Sequence, residues 1–111
     1  MFVLVTPDSG GVRPQFMDMQ NLNQLHVEFR AVEDAPAGQA LEEAGIGAVE
    51  DGHAWLHIAA LRAAGSSSGD WNDRFDAMLR YAQRSGWVDA AGSRVRAHIV
   101  REREDVNGTS R

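Results

Sequence analysis

IGAVEDGHAWLHIAAL, residues 46–61, decides the fold of this chain, because its centre, Asp51-Gly52, readily takes the two positive φ angles of a type I′ turn. The stretch reads as a β-hairpin with strands 46–50 and 53–61. A two-residue turn sets the register, so Glu50 opposes His53, Ala48 opposes Trp55 and Ile46 opposes His57 on one face. Gly47, Val49, Ala54, Leu56, Ile58 and Ala60 lie on the other.

Toward the C-terminus, DWNDRFDAMLRYAQRSG (70–86) has Trp71, Phe75, Met78, Leu79 and Ala82 on one face of a 3.6-residue period, the pattern of an amphipathic helix. Asp70 reads as its N-cap, Asp73 as a first-turn charge and Gly86 as its stop. GSSSG (65–69) is the loop into it. Beyond it, Val95, Ala97 and Ile99 alternate with Arg94, Arg96 and His98 as a strand over 94–100.

Toward the N-terminus, 36–44 reads as a short helix between Pro36 and Gly45. In 24–32, Leu25, Val27, Phe29 and Ala31 alternate with His26, Glu28 and Arg30 as a half-buried strand. FVLVT (2–6) is a further strand, halted by Pro7, and residues 12–23 have no clean period. The polar end, 102–111, reads as a flexible tail on a single domain of 1–101, and its Asn107-Gly-Thr sequon carries no weight without a secretion signal.

The last six elements run β-α-β-β-α-β, which predicts an α+β fold: a ferredoxin-like split-βαβ two-layer sandwich, an antiparallel sheet with two helices on one face, plus an extra N-terminal strand. The expected spatial order is the Arg94 strand, the Gln24 strand, the His53 strand, then the Ile46 strand. The added strand falls at an edge or exchanges with a partner.

Composition bounds the function. The 111 residues carry a formal charge of −5, no cysteine, and arginine as every one of their eleven basic side chains. Thiolate, Schiff-base and Walker-lysine chemistry are thereby excluded. The acidic balance argues against nucleic acid, and no apolar run reaches the roughly 18 residues of a membrane span. A soluble, cytoplasmic protein without cofactor is expected.

All four histidines fall on the sheet face turned away from the helices. His53 and His57 are about 13 Å apart on one strand, so the constellation to test is His57 with His26, Glu28 and His98, as an acid–base site or, more weakly, a metal site. The plain alternative is a solvated face on which Glu28 pairs with Arg94 or Arg96. Trp55 there needs a cover: the N-terminal segment, a second subunit or a ligand beside Arg30 and Arg96. The working expectation is thus a homodimer associating through this face, with a pocket for a small-molecule ligand. A cofactor-independent isomerase or lyase using these His and Glu side chains is one alternative, and an interaction module for another protein is the other. No metal is assigned, Tyr81 reads as core with a wet hydroxyl, and Met17 and Met19 read as packing.

Overall fold

A computed structural model describes residues 1–65 and 68–102. The expected tail and its sequon, apart from Glu102, and the centre of the serine loop lie outside the described residues. The strands are β1 (Phe2–Asp8), β2 (Gly11–Met17), β3 (His26–Arg30), β4 (Gly47–Glu50), β5 (His53–His57) and β6 (Arg94–Glu102); the helices are α1 (Asp34–Glu43), α2 (Ile58–Ala64) and α3 (Gly69–Arg84).

The six strands form one mixed sheet in the order β2-β1-β3-β6-β5-β4, curled into a half-barrel with three helices. This corrects the ferredoxin-like expectation. β6 lies between β3 and β5 and runs parallel to β3, and β1 also runs parallel to β3, so the sheet is not antiparallel. The physical reason sits at the end of the hairpin. The chain leaves β5 at His57 and forms α2, a seven-residue helix where a continued strand is expected. A single crossover helix would return the chain parallel to β5; two successive helices bring it back from the end at which β5 finished, and β6 therefore runs antiparallel to β5.

The hairpin register itself is as expected, with Glu50 opposite His53 and Ala48 opposite Trp55. Asp51 and Gly52 have φ of 53° and 79°, as a type I′ turn requires. The N-terminal strand is a second correction, because β1 lies inside the sheet between β2 and β3. Residues 11–17, unassigned from the sequence, pair with β1 as the edge strand, where Pro14 needs no inward donor.

Burial follows the alternation in β5 and β6, whereas Leu4 and Glu28 on the outer face of β1 and β3 are buried as well. Val3, Val5, Val27, Phe29, Ala54, Leu56, Val95, Ala97 and Ile99 are buried together with Trp71, Phe75 and Ala82 of α3, so α3 covers the face opposite the histidines. Trp71 and Phe75 stack at 4.9 Å, and burying each contributes about 1.5–3 kcal/mol. Ser68, rather than Asp70, caps α3, its Oγ accepting from the Trp71 N–H at 3.1 Å. Helix α1 packs against both β4 and β2, the two edge strands, which is possible only because the sheet curls.

Candidate functional site

On the outer face, the strand pairings set the histidines in place. His26 lies beside His98, and its ring stacks on Phe2 at 4.7 Å and an interplanar angle of 10°. Its Nε2 is 3.9 Å from Glu28 Oε1. Glu28 is only 8 % exposed and is held by Arg30, whose Nε donates to it at 3.1 Å while also facing Glu102 at 3.3 Å. The partner of Glu28 is therefore on its own strand, not Arg94 or Arg96. Burial lowers the pKa of His26, with the nearby Glu28 carboxylate opposing the shift.

His57 stands apart from this group. It pairs with Arg94, four residues from His98 on β6 and hence about 13 Å away along the strand. Among the described residues no group of three or more histidine or acidic side chains is placed to hold a metal ion.

A native His26 with a lowered pKa binds fewer protons than the unfolded chain between its folded value and the ordinary 6.5. Its neutral form contributes stability that is fully present above 6.5 and is lost as pH falls through the folded value. Urea midpoints measured between pH 7.5 and pH 5 should fall for the native chain and fall less for His26→Phe, which keeps the stack on Phe2. Equal pH dependences would remove this role from His26.

Trp55 has its cover within the chain. The Arg94 guanidinium lies over its ring at 5.5 Å, a cation–π arrangement. Asp89 Oδ2 accepts from Arg94 Nε at 3.1 Å and Glu50 Oε2 accepts from Arg94 Nη1 at 3.3 Å. Asp89 also accepts from the Arg94 and Ser93 backbone N–H groups, and with these bonds its pKa drops to about 2.

A different place on the molecule is concave. Helix α3 ends in a Schellman motif: Gly86, at φ 80°, donates to the Gln83 carbonyl at 3.1 Å and Trp87 donates to the Ala82 carbonyl at 2.9 Å. This stop turns the Trp87 ring edge-on against Tyr81 at 5.7 Å. The chain then runs along the edge of β6, with Trp87 O accepting from Arg96 N at 2.6 Å and Val88 bridging Val95. Farther along the same edge β3 takes over at His98. Between these two neighbours, level with Ala97, opens a cleft of about 270 Å³.

Asn23, Gln24 and Leu25 form one wall, Met78, Tyr81 and Trp87 another, and Arg96 and His98 of β6 with His53 of β5 supply polar groups. Among the described residues Tyr81 and Trp87 are the two exposed large hydrophobic ones, at 56 % and 36 %. Of the residues singled out from the sequence, His98 and Arg96 reach the cleft, whereas Trp55, Arg30, His26, Glu28 and His57 do not line it. His53, Tyr81 and Trp87 were missed. Trp87 carried a signal, since an apolar residue directly after a helix-stopping glycine is the residue a Schellman motif sets against the last turn.

No protein-family model matches the chain, and no curated protein or solved structure matches it.

Proposed function

We propose that the protein binds a small molecule in the cleft between the end of α3 and the edge of β6. The observation that carries this reading is the pair of exposed aromatic rings, Tyr81 and Trp87, at a concavity that also holds Arg96, His53 and His98. Apolar walls with a few convergent polar groups are the usual make-up of a ligand site, and a volume below that of drug-sized pockets suits a ligand of roughly a dozen non-hydrogen atoms. Self-association through the outer face has less support than the sequence suggested, because Arg94 covers the Trp55 ring that motivated it.

A fragment screen by saturation-transfer NMR, with hits mapped on the amide and indole N–H signals, tests the reading. Hits should shift the Trp87 indole and the Arg96 and His98 amides. Tyr81→Ala and Trp87→Ala should each weaken them about tenfold, the scale of a lost aromatic contact. Hits that map elsewhere, or that tolerate both substitutions, would overturn it.

A further inference from the structure

From the charge around the cleft, and resting on the reading of it as a ligand site, we infer that its ligand is a planar aromatic anion bearing a single carboxylate-like group. The protein as a whole is acidic, at −5, yet among the described residues no aspartate or glutamate lines this cleft. Arg13, Arg30, Arg62, Arg74, Arg94 and Arg101 each have a carboxylate partner within 4 Å, whereas among the described residues Arg80, Arg84 and Arg96 have none, and of these three it is Arg96 that lines the cleft. An arginine beside an apolar wall, without a carboxylate of its own, offers a planar fork of donors to an incoming anion.

The neighbouring groups favour the same ligand. Where the strand pairing is carried one step past Ala54 opposite Ala97, His53 comes level with His98, so two imidazoles accompany Arg96 on the cleft wall. Both can donate hydrogen bonds to a carboxylate. Trp87 and Tyr81, held edge to face, leave ring surface for a flat apolar body, and Met78 adds a polarisable thioether. A ligand with one anionic end and one aromatic end matches both halves of the wall. A ligand with a second carboxylate at its other end would place that negative charge against the apolar half, where nothing compensates it.

The probes are 2-naphthoate and its neutral isostere 2-naphthamide, titrated by NMR into the native chain and into Arg96→Gln and Arg96→Lys. Naphthoate should bind at the Trp87 indole at least about tenfold more tightly than the amide. Arg96→Gln should abolish that preference by weakening naphthoate about tenfold more than the amide, and Arg96→Lys should retain a preference for the anion. Equal affinity for the two probes in the native chain, or a naphthoate affinity unchanged in Arg96→Gln, would overturn the anion assignment and leave the cleft as a binding site. If neither probe perturbs Trp87 and the fragment screen is also empty there, the cleft reading itself fails. Amide spectra of the Arg96 variants that overlay on the native spectrum away from β6 show that the fold is kept.

Discussion

Gly47→Ala is expected to destabilise the protein by about 2–4 kcal/mol, the cost of forcing extra volume into a closely packed site. A Cβ at Gly47 would stand 2.2 Å from the Trp55 carbonyl oxygen and 3.0 Å from Leu56 Cα. Both are backbone atoms of the facing strand, so no rotamer change relieves the contact. β4 and β5 would have to part, loosening the pairing that continues to the 2.7 Å bond from His57 N to Ile46 O. In a domain of this size the melting temperature should drop by about 10–25 °C. Gly38→Ala provides the contrast. Its Cβ meets Val49 Cγ2 at 3.4 Å, an ordinary contact inside α1, so the same substitution should stabilise by up to about 1 kcal/mol. Calorimetry that finds equal melting points for the two variants would refute the assignment.

Trp71→Ala should cost about 3–5 kcal/mol, a large part of the total stability of a small domain. The ring is fully buried, stacks on Phe75, and its Nε1 donates to the Met19 carbonyl at 2.8 Å. It also fills the space that a side chain at Gly65 would need. A Cβ there would meet Trp71 Cη2, Cζ2 and Cζ3 at 2.1–2.6 Å, the outer ring atoms that phenylalanine lacks. Gly65→Ala should therefore destabilise the native chain by more than it destabilises Trp71→Phe, with a coupling of about 1 kcal/mol or more in a double-mutant cycle by urea denaturation. Additive effects would show that the ring and Gly65 do not meet. Because Trp71 ties α3 to the segment that continues into Asn23, Gln24 and Leu25, loss of its ring should also weaken ligands of the cleft.

The hairpin and the long helix were legible because their signals are local. Asp51-Gly52 dictates a turn through its own φ angles, and the turn dictates every pairing up to Ile46 and His57. Gly45 and Gly86 end their helices by the same local means, with φ of 72° and 80°. The histidine face followed from alternation, and the buried residues of α3 pack on the opposite face, while Met78 and Tyr81 near its C-terminal end reach the cleft that His53 and His98 also line. Residues 58–61 were misread for a physical reason. IAAL keeps Ile58 and Ala60 at alternate strand positions, but alanine and leucine are also among the strongest helix formers, and that preference prevailed once β5 had ended.

By itself, then, the sequence determined which strand side chains share a face, since the period of a strand is a property of the backbone, while the burial of Glu28 and the exposure of Tyr81 came only with the tertiary structure. The sequence also determined where the hairpin turns and where the helices stop. Only the tertiary structure decided which strands are neighbours, because strand order rests on contacts between residues far apart in the chain and on whether one helix or two return it to the sheet. The cleft is a consequence of that order. It exists where β6 exchanges one edge neighbour, Trp87 to Asp89, for another, β3, and no local pattern in either segment records that they meet at the same edge.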